Sequence, residues 1–245
     1  MPTPSLIGNG TAVGSASTVA TPTTLVPGLP STRSNGDWLF AVTSCTSATA
    51  TVTEGTDWDP LYDVTGTVGH LACFQRKVDG SEGAASITWA GLTTGAAGTP
   101  CHAKTSNLGQ GFLEDASSLL VIDVLGAVSN QAASSTINAG GATLTTILND
   151  TFVIAHGVRL NAALSAIADA GGSPVSWANI QGDLDLSGAD MAHFASVGVG
   201  PQPAGAVTAH TWTITGGSSI TSTGVMVALA LAVDVAPVVQ YTRGG

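Results

Sequence analysis

Charge is what this chain has least of. Of 245 residues, 6 are Lys or Arg and 16 are Asp or Glu, 9% in all, where an average soluble domain carries about 25%. A folded chain of this size exposes about 10,000 Å², which leaves roughly one charge per 450 Å². Thr, Ser, Ala, Gly and Asn must cover the rest. Such a surface suits a chain packed against copies of itself or other subunits better than one kept soluble alone by its charges. The basic residues, Arg33, Arg76, Lys77, Lys104, Arg159 and Arg243, are dispersed along a chain of net charge −10. They give no basic face for a phosphate backbone, so nucleic acid is not an expected partner.

Other scarcities narrow the class further. The three cysteines, Cys45, Cys73 and Cys101, cannot all pair and form no CxxC, so free thiols are expected. The longest apolar run, Val225 to Val233, ends at Asp234 and is too short to cross a bilayer as a helix. No membrane partner is expected. The opening MPTPSLIGNG has neither a basic start nor an apolar stretch, so a standard secretory signal is not expected. Disorder is excluded by an apolar fraction of 44%. Catalytic spacing is missing as well: there is no GxSxG, HExxH, P-loop or GxGxxG. The reading is therefore non-enzymatic, with no cofactor.

What the chain does have is strand chemistry. Lys, Glu and Gln are rare, and Thr, Val, Ser and Gly dominate, which favours strands and turns over helices. Short apolar or alternating runs recur between turn clusters: Trp38 to Thr43, His70 to Lys77, Ala85 to Trp89, Ser118 to Leu125, Thr151 to Val158, Met191 to Val199, Val207 to Thr215 and Gly224 to Val233. Weaker strands are placed near Ser15 to Ala20, Thr49 to Thr53, Ser134 to Ala139 and Leu164 to Ala168. The stretch from Leu160 to Ala170 reads as strand or loop, because Gly171-Gly172 follows and no cap is visible. The expectation is an all-β fold, a jelly-roll-like antiparallel β-sandwich. Residues 15–235 form the sandwich, between an N-terminal arm at 1–14 and a C-terminal tail at 236–245.

The chain also echoes itself. SASTV at Ser15 answers SSTI at Ser134, NGDWLFAV at Asn35 answers NDTFVIAH at Asn149, and HLACFQ at His70 answers MAHFAS at Met191. Trp58 and Trp177 fall between these features, and a strand ending in Trp follows, at Trp89 and Trp212. SLLVIDVLGAV is set against GVMVALALAVDV as the closing element. The physical reading is an internal duplication of two four-stranded halves. Each has one apolar face, and face-to-face packing closes a core. Phe74 and Phe194 are then equivalent inward residues.

The order GDWLFAV, GTDWDPL, HLACFQRKVDGSEGAASITW and SLLVIDVLGAV resembles a broad group of bacteriophage and prophage virion proteins with β-sandwich folds, of tail or capsid-decoration type. The carriers are Gly36-Asp37, Trp58, Phe74 to Val78 and Gly80-Ser81-Glu82-Gly83. One departure is Asp57, which stands where the pattern has Gly before Trp58. The resemblance covers about the first 130 residues. It implies a head decoration or cement protein, made in the host cytoplasm and resident in the virion, whose partners are other virion proteins and copies of itself. It supplies no catalytic residues.

The site candidates are few. Asp183, Asp185 and Ser187 match the opening of a calcium loop, but Phe194 stands where a bidentate Glu is needed. The plainer reading is a strand edge followed by a Ser-Gly turn. Cys101-His102 offers two zinc ligands without a second pair. Trp58 and Trp177, with Asp57 and Asp59 beside the first, could hold a surface glycan, the alternative being a tail or fibre receptor-recognition module. Core positions for both tryptophans are the ordinary reading. Leu6 and Ile7 lack alternating neighbours to join a core strand, which places them on a neighbouring subunit.

Overall fold

The computed structural model describes residues 5–9, 13–17, 23–55, 57–92, 101–111, 119–139, 143–160, 166–171, 176–184, 191–199, 202–215 and 220–232. All regular structure among them is β. The first half holds β1 (Ser5–Asn9), β2 (Val13–Ser17), β3 (Thr23–Leu25), β4 (Trp38–Cys45), β5 (Thr51–Glu54), β6 (Asp59–Thr65), β7 (His70–Lys77), β8 (Ile87–Ala90) and β9 (Cys101–Gly111). The second holds β10 (Leu119–Leu125), β11 (Ser129–Ser134), β12 (Thr136–Asn138), β13 (Leu144–Thr146), β14 (Phe152–Leu160), β15 (Ala166–Gly171), β16 (Ser176–Leu184), β17 (Met191–Val199), β18 (Gly205–Val207), β19 (Thr211–Thr215) and β20 (Ile220–Ala232).

The two halves share one topology. The large sheet of the first runs β1-β9-β4-β7-β6 with β2 also on β9, and that of the second runs β10-β20-β14-β17-β16 with β11 also on β20. Each has a small sheet as well, β3-β8-β5 in the first and β12-β19-β15 in the second. Even the closing bonds correspond. Val78 N donates to Asp37 O at 2.8 Å, and Gln202 N donates to Thr151 O at 2.8 Å. The β13–β18 pair belongs to the second half alone.

Three apolar cores separate four layers. The central core lies between the large sheets and includes Trp38, Phe40, Val42, Leu71 and Cys73 from one half and Phe152, Ile154, Val158, Val225 and Val227 from the other. Phe40 and Phe152 stack across it at 5.9 Å. A flanking core under the first small sheet takes Leu39, Ala41, Phe74, Ile87 and Trp89. Its counterpart takes Val153, Ala155, Phe194, Trp212 and Met226. Alternate residues of one strand therefore enter different cores. That is why β4 is buried at every position and why WLFAV and VMVALAL read as continuous apolar runs: a strand covered on both faces has no polar side to show. Strand packing across the central core comes in swapped pairs. β17 lies on β4 and β9, while its counterpart β7 lies on β14 and β20. Such reciprocity is the mark of a pseudo-twofold axis.

The all-β sandwich is as expected, but it stacks four sheets where a jelly roll has two, and each half exceeds four strands. The echo holds in order, with corrections. Phe74 and Phe194 both face flanking cores but are not equivalent, since Phe74 pairs with Ala41, whose counterpart Ala155 pairs with Ser196, while Phe194 pairs with Gly157. SLLVIDVLGAV contains β10, the opening strand of the second half, and pairs antiparallel with β20. The true counterpart of β20 is β9, whose sequence CHAKTSNLGQG is not among the expected strands. Pairing along β4 on one side and β1 and β2 on the other makes it a strand despite its composition. Leu6 and Ile7 are also corrected. They sit in β1, which pairs with β9 of the same chain, with a register shift between Leu6 and Gly8. Backbone pairing holds an edge strand without alternating side chains, so residues 5–9 are not a free arm. The proposed tail at 236–245 lies outside the described residues.

Candidate functional site

Four polar side chains meet inside the central core. Ser44 on β4 is hydrogen-bonded to His193 Nδ1 on β17 at 2.7 Å. The Tyr62 hydroxyl on β6 is hydrogen-bonded to His156 Nδ1 on β14 at 2.9 Å. The two imidazoles meet edge to face at 5.1 Å. Burial pushes the Tyr62 hydroxyl well up, with the Cys73 thiol adding to it. Burial holds His156 well below the ordinary histidine range, with His193 adding to it. His156 Nε2 has no hydrogen-bond partner. A Ser–His pair at 2.7 Å has the spacing of a nucleophile and its base, yet Ser44, His156 and His193 are all 0% exposed. No substrate carbonyl can approach, so the arrangement fastens sheets.

The network departs from the pseudo-symmetry. With Trp38 and Phe152 opening equivalent strands, Val42 answers His156. Ser44 pairs with Leu71 in the first half, and Val158 pairs with His193 in the second. Ser44, His193 and His156 thus answer the apolar Val158, Leu71 and Val42, whereas Tyr62 answers Gln181, and the Ser–His and Tyr–His pairs form only when unlike halves meet. Sequence reasoning missed this set. The only trace was two histidines within apolar strands, which the pattern alone could not bring together.

A second polar cluster builds the Asp79–Gly83 turn. Glu82 accepts from Arg33 Nε at 2.7 Å and Gly80 N at 2.8 Å. Burial would raise its carboxyl, but Arg33 and the backbone N–H groups of the turn hold it below the usual range. Asp79 accepts from Ser81 Oγ at 2.7 Å and Ser81 N at 2.8 Å, and these bonds lower its carboxyl. Arg76, 9% exposed, reaches Asp57 at 3.2 Å. Asp57 has φ +81°, the left-handed region that Asp tolerates better than most residues. Asp59 is exposed on β6, and Asp63 on the same strand pairs with His70 Nε2. Burial raises the nearby Glu54 carboxyl, with Asp59 and Asp57 adding to it.

The glycan candidates divide. Trp58 is 2% exposed and lies in the first flanking core, its Nε1 donating to Gly83 O at 3.3 Å. It has no open ring face for a sugar, so the candidacy of Trp58 is overturned. Trp177 is half-buried against the second flanking core, its ring 4.2 Å from that of His210. A shallow cleft of about 350 Å³ is lined by Gln131, Ala132, Ser134, Thr136 and Asn138. Asp183 lies one residue before the end of β16 as the register partner of His193, while Asp185 and Ser187 lie outside the described residues. Among the described residues no three His, Cys, Asp or Glu side chains are grouped to hold a metal. Cys45 and Cys73 are free thiols, and among the described residues no helix is long and apolar enough to cross a membrane. The chain matches no family model, no curated protein and no solved structure.

Proposed function

We propose that the chain is a non-enzymatic structural component of a bacteriophage virion, a head decoration or cement protein that acts through subunit–subunit contacts. The observation carrying this reading is the use of its reactive side chains. Ser44, Tyr62, His156 and His193 are buried at the seam between two halves, where they hold the block together. The sparse surface charge and the resemblance of GDWLFAV and KVDGSEG to virion proteins support the same reading. Antibody labelling of purified particles in the electron microscope tests it, with label on the head as the expected result. Particles that lack the chain altogether would overturn it.

A second reading, a tail or fibre module for surface glycans, rests on the uncharged cleft at Gln131 to Asn138. Its amide and hydroxyl groups suit sugar hydroxyls. Glycan-array binding abolished by Thr136→Arg would favour this reading.

A further inference from the structure

We propose that His156 is an acid-sensitive latch, whose protonation parts the two halves at the central core while each half keeps its flanking core. The geometry is that of a group with no room for a charge. His156 is fully buried, and its register partners are Ala195 on β17 and Val225 on β20. Ile154 and Val158 flank it along its own strand in the same core. Across the core it meets Tyr62, a hydroxyl on an opposing sheet.

Among the described side chains, the titratable and charged groups around it offer a cation no compensation. Tyr62 on β6 and Cys73 on β7 are neutral, and His193 on β17 would repel a second charge. Arg159 on β14 alternates away from His156, towards the other face of the sheet. Lys104 and Asp183 are register partners of Ser44 and His193, each a strand removed from His156. A proton on His156 therefore costs desolvation without a counter-charge. In the parted state the ring is hydrated and takes a proton near pH 6.5.

The sign follows from linkage. The parted state binds the proton and the closed state does not, so the closed form loses ground as pH falls below about 6.5. One proton shifts the balance by at most about tenfold per pH unit, and by about sixteenfold between pH 6.5 and 5. Parting need not unfold either half, because Phe74 and Trp89, or Phe194 and Trp212, remain covered by their own small sheets.

Two cysteines read the two events separately. Cys73 faces the central core and Cys45 faces the first flanking core. The full chain is treated with 4,4′-dithiodipyridine at pH 6.5 and pH 5, and modification is mapped by mass spectrometry. Wild type is compared at each pH with His156→Gln, which keeps a hydrogen-bonding partner for Tyr62 but takes no proton. The expected result is Cys73 modification that rises more than tenfold on acidification relative to His156→Gln, with Cys45 unchanged. Should His156→Gln fail to fold, the pair Tyr62→Phe with His156→Leu serves in its place. Equal acid responses in wild type and variant would overturn the proposal, as would Cys45 and Cys73 opening together.

Discussion

A single methyl group at Gly69 probes the seam between the halves. Gly69 lies in the turn between β6 and β7, with its Cα against the second half. A Cβ there would overlap Val158 Cγ1 and approach the Cys45 carbonyl to 2.9 Å. Neither neighbour can yield easily. Val158 is 0% exposed in the central core, and β-branching leaves it few alternative rotamers. Gly69→Ala should therefore cost about 1–3 kcal/mol, the usual range for overpacking. Val158→Ala alone should cost about 2 kcal/mol, from the lost transfer of two methylene equivalents plus a small cavity. Combined, the two changes relieve the main overlap. The double variant should be more stable than the sum of the single effects allows, by at least about 1 kcal/mol. Urea unfolding monitored by circular dichroism measures all three, provided the slopes agree. Strict additivity would refute the contact, and with it the close approach of this turn to β14.

Phe74→Ala and Phe194→Ala should each lower stability by about 3–5 kcal/mol in the same assay, because their rings are 5% and 0% exposed in the flanking cores. Trp58→Ala should cost a similar amount and leave glycan-array binding unchanged, since the ring is covered. Glu82→Gln removes a carboxylate held below its usual pKa. The stability advantage of wild type over this variant should be full above about pH 4.3 and fade as pH falls below it, in thermal melts across that window. An advantage that grew on acidification would contradict the Arg33–Glu82 pairing.

Much of the fold was legible because the strands that carry it are covered on both faces. WLFAV, FVIA and VMVALAL are apolar at every position for that reason, and the echo between halves followed their order. The flanking tryptophans were legible too. Trp89 donates to Thr43 on β4 at 2.9 Å and Trp212 to Ser196 on β17 at 2.8 Å, so each tryptophan ties its small sheet to the large one, though on strands that do not correspond. What the sequence hid were elements fixed by pairing alone. CHAKTSNLGQG has no period, yet it is a central strand because strands on either side supply its hydrogen bonds. SLLVIDVLGAV is as apolar as its partner β20, so likeness of composition was mistaken for equivalence of place. The buried network was hidden for a different reason. Ser44 and His193 are 149 residues apart in sequence, and only the stacking of large sheets brings them together. Trp58 was open to two readings because an aromatic beside carboxylates looks the same whether its ring faces a core or a sugar. Burial decided it.

The shared central core is tested most directly by cutting the chain between Gly111 and Leu119 and measuring the mass of the two fragments, alone and mixed, by light scattering. Unlike halves place Ser44 on His193 and Tyr62 on His156. By the same pseudo-symmetry, two copies of the second half would set His193 against Val158 and bury it without a partner. The expected result is a 1:1 complex with the mass of the intact chain, 24.2 kDa, formed in preference to either fragment's self-association. Fragments that stayed apart when mixed, or paired with their own kind equally well, would contradict the account.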